Sequence, residues 1–136
     1  MAPQATRATL IACALLGLGL LPACRTACPK PSPIQTTEYG RVEFCDRASR
    51  RRLRVTEHKV ERLPDGVLQV TVEWVNTTAE PFPAQVRIIF RNARDYPEVF
   101  GYVWAGKVFQ PGSQESEWTS RTRDSVRYLI QVRKAP

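Results

Sequence analysis

The chain has 136 residues, 43% of them hydrophobic and 24% charged, with 20 Lys+Arg against 13 Asp+Glu for a formal net charge of +7. That length holds one domain and excludes a multi-domain enzyme, and the apolar content is too high for a disordered chain. Eleven prolines and seven glycines, set mostly between short Val, Ile and aromatic runs, exclude a helical bundle and predict an all-β fold of short strands joined by turns.

Residues 1–7 carry one basic side chain, Arg7, and residues 8–21 form an apolar run rich in Leu, Ala and Gly. As a helix at ~1.5 Å per residue that run reaches about 21 Å, short of a ~30 Å hydrocarbon core, so it reads as a signal h-region rather than a permanent span. It ends Leu21-Pro22-Ala23-Cys24, which resembles the lipobox of bacterial lipoprotein precursors. The resemblance implies cleavage after Ala23 and lipidation of Cys24, with several acyl chains holding the mature protein in a bilayer. An ordinary secretory signal cut at the same place, leaving Cys24 as a thiol, is the other reading. Arg25, where the sorting pattern for inner-membrane retention has Asp, points to the outer membrane, facing the periplasm. The expected organisation is a signal peptide over residues 1–23, a tether over 24–39 and a β-domain over 40–136.

The tether holds Pro29, Pro31 and Pro33 among polar residues and reads as an extended spacer. Some fifteen residues of it reach about 50 Å when stretched at ~3.3 Å each. Cys13 departs with the signal and Cys24 is assigned to lipid. Cys28 and Cys45 are then an even pair in an oxidising compartment, where a structural disulfide is the default, worth roughly 3 kcal/mol in the chain-entropy model. Zinc held by Cys24, Cys28, Cys45 and His58 is the alternative on paper, but the spacing matches no common finger.

From Gly40 onward the apolar period is two. Residues 41–45 read as a first strand and residues 53–62 as a second. The corner Leu63-Pro64-Asp65-Gly66 turns that strand into residues 67–76, where Leu68, Val70, Val72 and Trp74 alternate with Gln69, Thr71 and Glu73. After a turn over residues 76–81 comes a strand at 84–91, with Val86, Ile88 and Phe90 on one face, Gln85, Arg87 and Arg91 on the other, and Ile89 breaking the pattern. Residues 99–104 read as a short aromatic strand, 110–113 as a turn, and 115–119 as a brief pairing. The last strand, 126–133, sets Val126, Tyr128, Ile130 and Val132 against Arg127, Gln131 and Arg133. About seven antiparallel strands in two stacked sheets bury one face of each, with a small barrel as the alternative.

Residues 68–90, reading LQVTVEWVNTTAEPFPAQVRIIF, then Trp104, the stretch VFQPGSQ and the closing YLIQVR are together similar to the YcfL-like outer-membrane lipoproteins of Gram-negative bacteria. The shared pattern is a strand ending in Asn-Thr, a turn, an aromatic-containing strand, a Trp, a Pro-Gly turn and a closing strand ending in Arg, over about half the chain. Phe100-Gly101-Tyr102 departs from it, standing where a polar loop is expected. The resemblance implies an immunoglobulin-like β-sandwich and an accessory role in the cell envelope. It supplies no catalytic residues.

The chemistry legible in the residues is sparse. His58, the single histidine, sits among Glu57, Lys59 and Glu61 and reads as an exposed strand residue rather than a general base. Ser120, Ser125 and Asp124 lie far in sequence from it, and no nucleophile-elbow turn surrounds either serine. Glu115 and Glu117 share one face of a strand and read as a solvated edge rather than a carboxylate dyad. No phosphate loop or metal-binding motif is present in the sequence. The expectation is a protein that is not an enzyme and has no cofactor.

Two features point to binding. Arg47, Arg50, Arg51, Arg52 and Arg54 form a basic stretch suited to phosphates and carboxylates of lipid headgroups or cell wall, or else to a solvated strand edge that blocks aggregation. Phe100, Tyr102 and Trp104 alternate along one face, as core or as an aromatic platform for sugars or a protein. The expected partners are the membrane, through the lipid anchor, and an envelope protein or the cell wall, with no nucleic acid. The sequence thus supports a lipid-anchored, non-catalytic sandwich that binds or scaffolds an envelope component, or a carbohydrate or peptidoglycan module using the aromatic strand and the Arg cluster.

Overall fold

The computed structural model describes residues 34–36, 39–99 and 103–136, the first three by their backbone alone. The expected signal peptide, Cys24, Cys28, Phe100 and Tyr102 lie outside these residues. Among the described residues the elements are β1 (Ile34–Thr36), β2 (Gly40–Phe44), α1 (Arg47–Arg52), β3 (Leu53–Arg62), β4 (Leu68–Asn76), β5 (Phe82–Asn92), β6 (Ala105–Phe109), β7 (Gly112–Thr119) and β8 (Ser125–Lys134). A five-stranded sheet runs β1-β2-β8-β5-β6 and a three-stranded sheet β3-β4-β7. The expected two-layer β-sandwich is the observed fold. β1, read from the sequence as the end of the tether, pairs with β2 as the edge of the large sheet.

The core forms where the alternation predicts it. Leu68, Val70, Val72 and Trp74 of β4 face Val42 and Phe44 of β2, Phe82, Ala84 and Val86 of β5, and Ile130 and Val132 of β8 across the interlayer space. Trp74 is fully buried. It meets Phe44, Phe109 and Trp118 edge-on, with ring centroids 6.4, 5.5 and 6.5 Å away, and its Nε1–H donates to Ser116 Oγ at 3.1 Å. Burying a large apolar side chain of this kind is worth about 1.5–3 kcal/mol. The Pro64-Asp65-Gly66 corner closes the β3–β4 hairpin: Gly66 has φ of 90°, a region a side chain would disfavour, and its N–H donates to the Leu63 carbonyl at 2.8 Å. Asn76 ends β4 buried, donating to the carbonyls of Glu80 and Phe109 and accepting from both the N–H and the hydroxyl of Thr78.

Five local expectations are corrected. β2 and β8 run parallel, whereas the alternation of each strand alone suggested antiparallel neighbours throughout; pairing direction is set by the path of the chain, which changes sheet four times between β2 and β8. At the start of this pair, a Cβ on Gly40 would collide with the Tyr128 carbonyl oxygen. Arg47 to Arg52 form a helical turn, not a strand edge. Asp46 caps it, accepting from Ser49 N–H at 2.8 Å, and the turn stops at Leu53, which the core recruits into β3. β7 covers eight residues and pairs with β4 from Gln69 to Asn76, far longer than the brief pairing expected. Of the aromatic strand expected over 99–104, residues 100–102 lie outside the described residues, and Val99, Val103 and Trp104 are not in a strand; β6 starts at Ala105.

The fifth correction concerns His58. A bulge between Val55 and Glu57 reverses the parity of β3, so that His58 and Val60 point inward where strict alternation would have placed Glu57 and Lys59. His58 is half-buried, hydrogen-bonded through Nε2 to the Tyr128 hydroxyl, and meets that ring edge-on. Burial pushes its pKa below the ordinary value. A protonated imidazole would also carry an N–H at Nδ1, which is buried and without a partner among the described residues.

Candidate functional site

The outward face of the five-stranded sheet carries a polar row that the register assembles. Glu43 on β2 lies opposite Gln131 on β8, and Gln131 lies opposite Arg87 on β5. Arg41 Nε donates to Glu43 Oε1 at 2.7 Å, Gln131 Nε2 donates to Glu43 Oε2 at 2.9 Å, and Arg87 Nε donates to Gln131 Oε1 at 2.7 Å. The chain of donors and acceptors orients the Gln131 amide, since its nitrogen must meet a carboxylate and its oxygen a guanidinium. Although they point away from the core, Glu43 and Gln131 are only 3% and 6% exposed. Ile89 belongs to this same outward face and is also buried, which accounts for its break in the β5 pattern.

Trp104 lies against the basic end of this row. The Arg87 guanidinium carbon is 4.4 Å from its ring centroid and that of Arg133 is 4.1 Å, both well inside cation–π range. Arg133 Nε donates to Gln85 Oε1 at 2.8 Å, and its two terminal amino groups have no hydrogen-bond partner among the described residues. The indole Nε1–H of Trp104 is buried and likewise lacks an acceptor there. The segment leading to Trp104 is pinned at its base by Glu98, whose Oε1 accepts from the Ser125 hydroxyl at 2.6 Å, from the Thr122 hydroxyl and N–H, and from the Arg121 N–H. Burial raises the Glu98 pKa, but these donors outweigh it and hold the carboxyl below the ordinary range. The Arg133 guanidinium, fixed through Nε and stacked on the indole, presents its remaining donors as a preoriented fork, which suits a planar carboxylate or a phosphate.

The residues singled out from the sequence fall in three places. Arg47, Arg50 and Arg51 are exposed on α1, Arg54 is exposed on β3, and Arg52 is half-buried with its guanidinium 5.4 Å from the Phe82 ring centroid. Cys45 is half-buried immediately after β2; Cys24 and Cys28 lie outside the described residues. Trp104 is brought to the large sheet, while Phe100 and Tyr102 are outside the described residues. Ser120 is buried, accepting from Leu68 N–H and donating to the Thr122 carbonyl, and Ser125 serves Glu98, so both serines hold loops. The residues missed as a site are Arg41, Glu43, Arg87, Gln131 and Arg133. Their outward parity on each strand is readable in the sequence; their proximity is not.

No family model and no curated protein matches the chain. Two crystal structures share its fold. Campylobacter jejuni cj0090 aligns with a TM-score of 0.52 at 7% identity over 60% of this chain and 85% of that one. A DUF1425 family member from Shewanella sp. pv-4 aligns with a TM-score of 0.54 at 15% identity over 62% and 79%. At these identities the likeness shows the sandwich fold.

Proposed function

We propose that the protein is a lipid-anchored, non-catalytic component of the bacterial envelope whose large sheet binds an anionic envelope partner through Arg87, Arg133 and Trp104. The lipobox-like Leu21-Pro22-Ala23-Cys24 and the similarity to YcfL-like lipoproteins support the envelope assignment. A bridge between Cys28 and Cys45 belongs to the same reading, supported by the disulfide-bonded state of Cys45. The observation that carries the binding assignment is the pair of guanidiniums held against one indole, Arg87 by the buried Gln131, itself bonded to Glu43, and Arg133 by the half-buried Gln85. That arrangement favours an anion over a bare sugar ring, because the Trp104 ring is already engaged by Arg87 and Arg133.

The test places a photo-crosslinking residue at Val108, which is exposed on β6, in intact cells. A discrete adduct that disappears in Arg87→Gln/Arg133→Gln is the expected result, with retention on purified sacculi separating a cell-wall ligand from a protein one. An adduct indifferent to both arginines, or one lost only on Trp104→Ala, would favour the carbohydrate-platform reading. Mass spectrometry of the mature N-terminus tests the anchor: Cys24 should carry acyl chains.

A further inference from the structure

We infer that the α1 end of the sandwich docks flat on the anionic phospholipid surface of the bilayer that holds the anchor, with Arg47, Arg50, Arg51, Arg54 and Lys134 as the contact. This rests on the lipid anchor and the Cys28–Cys45 bridge proposed above. All five side chains are exposed, and none makes an ion pair among the described residues. The acids at this end do little to offset them. Asp46 is occupied as the helix cap by Ser49 and as acceptor of the Lys134 N–H at 2.6 Å, while Glu80 stands exposed in the neighbouring turn after β4.

The helical turn is held firmly enough to present these charges together. Asp46 caps its start, the Arg52 carbonyl accepts from the Thr77 N–H at 2.8 Å and from its hydroxyl at 3.1 Å, and Leu53 anchors its end in the core. Cys45 is disulfide-bonded and lies one residue before the cap. With Cys28 as its partner, the path from the lipidated Cys24 to the domain is four residues, about 14 Å fully extended, rather than the ten residues, about 33 Å, that separate Cys24 from β1 without a bridge. The bridge therefore brings this cluster of cations, and not another face, to headgroup distance, where juxtamembrane basic side chains attract anionic lipid within a Debye length of ~8 Å. The opposite end, with exposed Tyr96 and Val99, then faces away from the bilayer.

The experiment reconstitutes the full lipidated chain into vesicles of phosphatidylethanolamine with 30 mol% phosphatidylglycerol, or of phosphatidylcholine alone. It reads the rate of phenylglyoxal modification at each arginine by peptide mass spectrometry. The expected result is about tenfold slower modification of Arg47, Arg50 and Arg51 on the anionic vesicles only, relieved by 0.5 M salt, with Arg94 and Arg123 at the far end unchanged. Equal rates on both vesicles, or equal slowing at both ends, overturns the docking. Cys28→Ser/Cys45→Ser, checked for folding by its thermal transition, should abolish the slowing; slowing that survives overturns the role of the bridge. If Cys24 proves unacylated, the anchor fails separately. Docking is then read by co-sedimentation of the mature chain with the same vesicles, where Arg47→Ser/Arg50→Ser/Arg51→Ser should lower partitioning about a hundredfold, and unchanged partitioning overturns it.

Discussion

On the outward face of the three-stranded sheet, Glu57, Glu73 and Glu115 stand in one row across β3, β4 and β7. On that of the five-stranded sheet, Glu43, Gln131 and Arg87 stand in one row across β2, β8 and β5. Both rows are polar and both arise from the same alternation. The first is solvated: Glu57 makes an exposed pair with Lys59 at 3.1 Å, Glu73 accepts from Ser113, and like charges sit side by side at some cost. The second is largely buried, linked by hydrogen bonds from Glu43 through Gln131 to Arg87 and backed by an indole. Exposed charges along β3 and β7, the two edges of the small sheet, resist strand addition by another chain, whereas the buried row fixes guanidiniums in place. Polarity alone does not distinguish these roles; burial and the closure of hydrogen bonds do.

Breaking the frame of the large sheet should have the largest effect. Gly40→Ala forces a methyl group against the Tyr128 carbonyl and ring, and we expect a loss of about 3 kcal/mol in urea unfolding, as for a severe overpacking. Next comes the direct contrast between the rows. Glu43→Ala leaves the Gln131 amide without its acceptor and should cost about 1–3 kcal/mol, while Glu73→Ala should stay within about 0.5 kcal/mol. Equal costs would mean that the two faces are energetically alike.

The contact between the layers gives a pH test. His58 has its pKa lowered in the folded state, so the folded protein binds fewer protons than the unfolded chain. Its contribution is complete above the unfolded value of about 6.5 and is lost as pH falls below that value toward the folded pKa. Unfolding midpoints measured down through that window should fall for the native chain and show a shallower slope for His58→Phe. The smallest effect sharpens the acidic row: Glu115→Thr removes one of its like charges and should stabilise by a few tenths of a kcal/mol, an effect that shrinks in high salt.

Much of the layering is legible before any coordinates. The alternation of Leu68, Val70, Val72 and Trp74 and that of Tyr128, Ile130 and Val132 place β4 and β8 with their inward faces correctly assigned, because a half-buried strand must alternate and few other structures do. The Asp65-Gly66 corner fixes a hairpin for the local reason that Gly66 adopts a positive φ. Other features leave no such trace. The bulge that turns His58 inward is one residue of slack in a strand whose charged residues fit either face. The turn of helix at Arg47–Arg52 depends on a cap at Asp46 that a reading centred on charge passes over.

What the amino-acid order determined by itself is the set of local choices: most strand positions, turn chemistry and which side chains point out. What only the tertiary structure decided is which outward residues meet. Glu43, Arg87 and Gln131 come from three strands distant in sequence, and their row exists because β2 joins β8 in parallel while β5 joins it antiparallel at one particular register. A one-residue slip of any of the three would keep the composition and dissolve the row, since neighbouring positions on a strand face opposite sides of the sheet.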